Sequence, residues 1–316
     1  MRTLHGHTFP FPLLQDSPWV GTWFTSRLGI STLEVNDVPL GLLGRRDFSM
    51  FGLQQSFEQS VGLTDWLGVS LLGQGRANAG LNSTTLILRT GEADVRLVLS
   101  PVVRVWRNAE RGTQVSVHLT GALANVRRLS LLQLLDRLAQ VPVATVESLL
   151  DGNLRSLLLV PGTERALGGS INAAQALGPL FGLQGGLSAS HTWRTDKPFD
   201  PVVNARVERS LDSLRFDGDL AFSANFMHWG VPVGVLLEYQ TAWQELSGSG
   251  VTEQGGWEQS AAVGLHYTGR RNLELGVIAS RLFYGRRLTG TNAIGAPAES
   301  DPQTGNGLQL NLRYIW

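Results

Sequence analysis

Residues 113–124 read TQVSVHLTGALA, with Val115, Val117, Leu119 and Leu123 on one side and Gln114, Ser116, His118 and Thr120 on the other. A period of two, not 3.6, marks a strand with one apolar and one polar face. The pattern recurs outward from this stretch. Leu214, Phe216, Leu220 and Phe222 oppose Arg215, Asp217, Asp219 and Ser223. Val233, Val235, Leu237, Tyr239 and Trp243 oppose Glu238, Gln240 and Gln244, and Trp257, Val263, Leu265 and Tyr267 oppose Glu258, Ser260 and His266. Leu273, Leu275 and Val277 oppose Glu274, Gly276 and Ser280; at the end of the chain Leu308, Leu310, Leu312, Tyr314 and Trp316 oppose Gln309, Asn311 and Arg313.

These segments exceed the usual soluble strand of about 5–6 residues and match the roughly 9–11 that a tilted strand needs to cross a bilayer. A soluble sandwich or barrel would give shorter strands. Aromatics at the ends of the apolar faces (Tyr239, Trp243, Trp257, Tyr267, Tyr314 and Trp316) suit an interfacial girdle. The reading gives strands near 19–30, 48–63, 66–76, 93–107, 113–125, 166–177, 180–194, 213–227, 231–246, 256–268, 272–286 and 306–316. Short turns at 63–66, 107–112, 177–180, 227–231 and 268–272 alternate with long links at 31–47, 77–92, 126–165, 195–212, 247–255 and 287–305. The expected fold is therefore all-β: a transmembrane antiparallel up-and-down barrel of about twelve strands over 19–316, with both termini at the short-turn, periplasmic end. Residues 1–18 are expected to form a periplasmic arm.

Composition agrees. The chain has 316 residues, no cysteine, 26 basic and 26 acidic side chains, 42% apolar and only 16% charged residues, 37 glycines and 9 tryptophans. Neutrality argues against electrostatic nucleic-acid binding, and the absence of cysteine removes disulfides, zinc clusters and thiol catalysis. No run approaches a membrane-spanning helix, and Met1–Pro18 lacks the apolar core of a signal peptide, so a processed or trimmed form is expected.

The closing segment Leu308–Trp316 resembles the carboxy-terminal strand of bacterial outer-membrane barrels. The resemblance implies an outer-membrane location among lipid and lipopolysaccharide. It also implies that Leu312, Tyr314 and Trp316 are read by the barrel assembly machinery. The hairpin Phe57–Leu71 (FEQSVGLTDWLGVSL) is similar to hairpins of the phenol-degradation meta-pathway type of barrel, a group related to fatty-acid transporters, which have more strands.

One segment breaks the alternation. In 127–159 the leucines follow a helical spacing, including Leu131, Leu134, Leu135 and Leu138, and Pro142 divides them into expected helices near 129–140 and 143–151. This short helical insertion in the 126–165 loop reads as a hairpin on the rim, as a plug or lid, or as a docking surface for other envelope proteins.

The polar faces carry Glu58, Asp94, Arg96, Arg104, His118, Arg215, Asp217, Asp219, Glu238, Glu258, His266, Glu274 and Arg313. These would line the lumen, either as an ion-pair network filling the barrel or as a permeation path. Catalytic motifs are thin. Some twelve-stranded barrels are phospholipases with a His-x-Ser followed by Asn and Gly, but His118-Leu-Thr120-Gly121 lacks the serine and asparagine, and no Gly-x-Ser-x-Gly elbow occurs. His5-Gly-His7, in a floppy terminus, has too few ligands for a metal, and neither Gly73-Gln-Gly75 nor Gly248-Ser-Gly250 has phosphate-loop spacing. No metal, cofactor or enzyme activity is expected. Lys197 is the single lysine, and the doublets Arg45-Arg46 and Arg286-Arg287 fall where lipopolysaccharide phosphates would lie. The leading function is a narrow, gated or plugged channel for small solutes, hydrophobic ones among them; the rival is a non-transporting barrel that anchors a cell-envelope complex.

Overall fold

A computed structural model describes residues 2–39, 44–82, 91–129, 159–197, 199–200, 205–248, 251–287, 289–291 and 296–316. Twelve strands form one closed sheet: β1 (Trp23–Pro39), β2 (Arg45–Gly62), β3 (Leu67–Gly80), β4 (Gly91–Asn108), β5 (Thr113–Leu129), β6 (Leu159–Ala176), β7 (Phe181–Asp196), β8 (Arg209–Asn225), β9 (Val233–Gly248), β10 (Val251–Arg270), β11 (Leu273–Tyr284) and β12 (Thr304–Ile315). Each strand pairs antiparallel with its chain neighbours, and β12 closes on β1 from Thr304↔Glu34 to Ile315↔Trp23. Closure leaves no unpaired edge, so every strand can meet lipid with its backbone hydrogen bonds satisfied.

The apolar face points outward. Val95, Leu119, Leu167, Leu187 and Leu265 are exposed, Leu187 to 70%, while their polar strand neighbours turn inward. Such an exposed belt is the reverse of a soluble core and is stable only against hydrocarbon. Trp257 and Tyr267 mark its two ends on β10. Ten residues at roughly 3.3 Å each, tilted by about 40°, span about 25 Å, the height of a membrane barrel's apolar band.

The expected count of twelve is borne out, but the strand ends differ. β1 runs over Trp23–Pro39 rather than 19–30, and β6 begins at Leu159 rather than 166. The expected long link 247–255 is a tight connection, because Gly248 pairs with Val251. Alternation stops where lipid stops, whereas backbone pairing continues through polar residues such as Glu34 and Ser49. The 126–165 loop contracts for the same reason, since Leu129 pairs with Leu159. Leu131, Leu134, Leu135 and Leu138, with the two expected helices, lie outside the described residues. A four-residue 3-10 turn, Phe226–Trp229, precedes β9.

The amino-terminal arm is the main departure. Instead of standing free in the periplasm, it folds into the short-turn end of the barrel. Thr3–Leu4 pairs with His7–Thr8 across a tight turn with positive φ at His5 (45°) and Gly6 (80°). Leu4, Phe9, Phe11 and Trp19 then pack with Trp23, Ala174 and Ala176 in the one apolar core cluster of the described residues. Ringed by polar lumen walls, these side chains hide from water as they could not on a free arm.

Candidate functional site

The lower lumen is a seat for the arm. The Arg2 guanidinium pairs with Glu274, which also receives a hydrogen bond from the Phe11 N–H (3.3 Å) and lies 3.1 Å from His266 Nδ1. Glu238 accepts from the Leu13 and Leu14 N–H groups at 2.8 Å each. Wall amides complete the cradle: Gln184 donates to the Pro10 carbonyl (3.0 Å), Gln240 to Leu14 (3.0 Å) and Asn225 to Thr8 (3.2 Å). Every carbonyl or N–H caught this way replaces the partner that a buried, non-strand backbone would otherwise lack.

His7 Nε2 lies 2.9 Å from Ser223 Oγ, and burial lowers the imidazole from its ordinary value to about 4, so it is neutral when docked. Gly182 makes the close approach possible, because a Cβ there would run into Phe9 and His7. The Arg313 guanidinium stacks 3.6 Å above the Phe11 ring. Arg313 also donates to Thr25 Oγ1 (2.6 Å) and pairs with Glu58 at 3.5 Å. Glu58 in turn accepts from Trp23 Nε1 (3.0 Å) and pairs with Arg27 at 3.4 Å.

Above the arm lies a cavity of about 390 Å³. Residues 12–17 form its floor, and Glu58, Arg215, Asp217, Asp219 and Arg313 lie in its wall with Ser70, Ser100, Thr120, Ser170, Asn172, Ser188 and Gln240. Arg215 bridges Asp217 (2.8 Å) and Glu258 (2.7 Å), and Glu258 also pairs with Arg286 at 3.4 Å. Asp217 accepts from Ser188 (3.0 Å), and the floor's Asp16 from Ser170 (2.7 Å). The wall is thus polar, with its charges largely paired sideways along the strands, so water and solute can stand in the middle.

The thirteen polar residues singled out from sequence fall into distinct places. Glu58, Glu238, His266, Glu274 and Arg313 belong to the seat. His118 is buried with Ser116 Oγ 3.5 Å away. Arg215, Asp217, Asp219 and Glu258 belong to the cavity ladder. Arg96 pairs with Glu164, and Asp94 stands opposite Arg76. Arg104 lies at the short-turn end, where the ladder shifts register and its N–H donates to the Trp66 carbonyl at 2.7 Å. Arg2, Phe9, Phe11 and Gln184 carry no motif of their own, His7 reads only as a rejected metal ligand, and Ser223 reads only as one inward residue of its strand. The clue was the arm's run of apolar residues around Phe9 and Phe11, too many for a solvated tail.

On the outer face Trp243 pairs across strands with Trp257, its ring 6.0 Å from Phe216, and Tyr314 meets Trp316 edge-on at 4.8 Å. Tyr239 departs from the expected girdle: it lies four positions inside Trp243 and stacks on Phe283 at 6.2 Å. Alternation gives the face of a residue but not its depth. The arginine doublets also differ from expectation. Arg45 pairs with Asp37, Arg286 with Glu258, and Arg287 lies 3.9 Å from Glu299. Three of these four arginines thus have one of the protein's own carboxylates within reach.

No family model matches the sequence, and no curated protein matches it. Solved structures do match in shape. The COG4313 outer membrane channel from Pseudomonas putida F1 aligns with a TM-score of 0.57 at 11% identity, covering 98% of this chain and 100% of that one. The translocator domain of autotransporter NalP from Neisseria meningitidis follows at 0.54 and 7%, covering 94% and 89%. The beta domain of the Bordetella autotransporter BrkA gives 0.52 and 9%, covering 94% and 100%. The fold is that of an outer-membrane β-barrel. That resemblance, drawn from Leu308–Trp316, is borne out, and the exposed apolar belt is the barrel's lipid face.

Proposed function

We propose that this protein is an outer-membrane channel for small polar solutes, closed from the periplasmic side by its own N-terminal arm. The carrying observation is the polar cavity of about 390 Å³ whose floor is the arm itself. Placing the arm in the periplasmic mouth follows from the short turns at that end. The serine, threonine and amide lining favours hydrogen-bonding solutes over the hydrophobic ones that remained open from sequence. The arm suits a removable closure. It is continuous with the wall only through β1, it is held by non-covalent contacts alone, and Gln15 within it leaves both amide atoms unpartnered. The Pseudomonas putida F1 barrel that shares this fold is an outer membrane channel, which supports this reading. Insertion by the barrel assembly machinery, guided by Leu312, Tyr314 and Trp316, belongs to the same proposal.

A second reading, a non-transporting anchor, is favoured by the filled lower lumen. Planar-bilayer recordings of the intact chain and of a chain lacking residues 2–16 separate the two. The channel reading expects steady conductance on removing the arm, with the barrel still resisting unfolding in detergent. A folded, armless barrel without conductance would support the anchor.

A further inference from the structure

A group of cations lies elsewhere on the outer wall. At the long-loop end of β5–β7, cross-strand register sets Asn125, Thr163 and Thr195 in one row. One step toward the loops Arg127 pairs with Pro161, whose carbonyl accepts from the Lys197 N–H at 2.9 Å. One step the other way Arg165 stands opposite Trp193. A cavity of about 300 Å³ is lined by Asn125, Arg127, Thr163, Thr195 and Lys197, with no carboxylate in its lining. Lys197, the chain's single lysine, pairs loosely with Glu208 at 3.9 Å, both side chains exposed, and Arg127 and Arg165 form no ion pair among the described residues. Below the cations the same outer face is apolar: Leu119, Leu167, Ile171 and Leu187 are exposed there.

We propose that this pocket binds the phosphate of an outer-leaflet lipid headgroup. The layering supplies the argument. Acyl chains would lie on the leucines, Trp193 would sit at the interface, and the headgroup would meet Arg127, Lys197 and three neutral hydrogen-bonding side chains, with Arg165 one step below the pocket. Guanidinium forks match phosphate oxygens, and a dianionic phosphomonoester suits a pocket lined by two cations with no carboxylate in its lining. An inward-facing site would need to be reached through the lumen; this one opens directly on lipid. The inference is independent of whether the lumen conducts.

The test is native mass spectrometry of the full-length protein in detergent. It is titrated with a bis-phosphorylated glucosamine-disaccharide lipid, with the same lipid after phosphate removal, and with inorganic phosphate. The expected result is binding of the phosphorylated lipid, weakened roughly fivefold for each of Arg127→Gln, Arg165→Gln and Lys197→Gln. Arg270→Gln and Arg271→Gln, in the turn at the opposite rim, should leave it unchanged. Equal binding of the dephosphorylated lipid, equal retention of inorganic phosphate, or equal weakening by the opposite-rim variants would each overturn the proposal. All five positions are on the surface, and resistance of each variant to unfolding in detergent confirms that a loss is one of binding.

Discussion

The two halves of the lumen solve the problem of buried polarity in opposite ways. In the upper half most wall charges pair within the wall: Arg215 is held between Asp217 and Glu258, and Arg96 pairs with Glu164, while Asp219 keeps one oxygen without a partner. In the lower half the wall is incomplete without the arm. Glu274 needs Arg2, Glu238 needs the Leu13 and Leu14 N–H groups, and Phe9, Phe11 and Trp19 fill space that no wall side chain fills. On the proposed reading the barrel is closed by a segment rather than by its own side chains, and what a segment closes it can open. Loss of residues 2–16 is the largest perturbation of this contrast, converting the lower half into an extension of the upper.

Single changes should rank in the same order. Glu274→Gln leaves Arg2 charged and unpaired in a buried seat and is expected to weaken arm docking by about 3–5 kcal/mol. Limited proteolysis should then cut within residues 2–16 while the barrel stays intact. Acidification should act next. The docked His7 has a value near 4 against an ordinary 6.5, so the released arm binds more protons than the docked one. Docking is strongest above pH 6.5 and weakens as pH falls toward 4, by roughly twentyfold between pH 7 and pH 5. His7→Gln should flatten that part of the proteolysis profile. Arg96→Gln, in the self-paired half, is expected to cost less than about 1 kcal/mol and to leave the arm's protection unchanged. Equal arm release by Arg96→Gln and Glu274→Gln would erase the distinction between the halves.

Much of the barrel was legible because lipid imposes a strict rule: Leu119 and Leu123 must face out and His118 and Thr120 in, and that rule is written in single residues. The strand ends were not, because Glu34, Ser49 and the residues around Gly248 pair beyond the bilayer, where no face must be apolar. The lower site was half visible. Glu238, His266, Glu274 and Arg313 stood out as inward charges, yet their partners Arg2, Phe11, Leu13 and Leu14 lie in a segment with no strand period, more than 200 residues away in sequence. Only register and closure bring them together.

The chain has no cysteine, so two introduced ones report on the arm alone. His7 Nε2 and Ser223 Oγ face each other across 2.9 Å; with His7→Cys and Ser223→Cys joined by a short bis-methanethiosulfonate, each thiolate displacing a methanesulfinate to form a reducible disulfide, the arm is fixed in its seat. Conductance of this protein in planar bilayers should be silent while bridged and should appear when reductant releases the arm. The same steady conductance in the bridged and reduced states, with bridging verified by mass, would contradict closure by the arm.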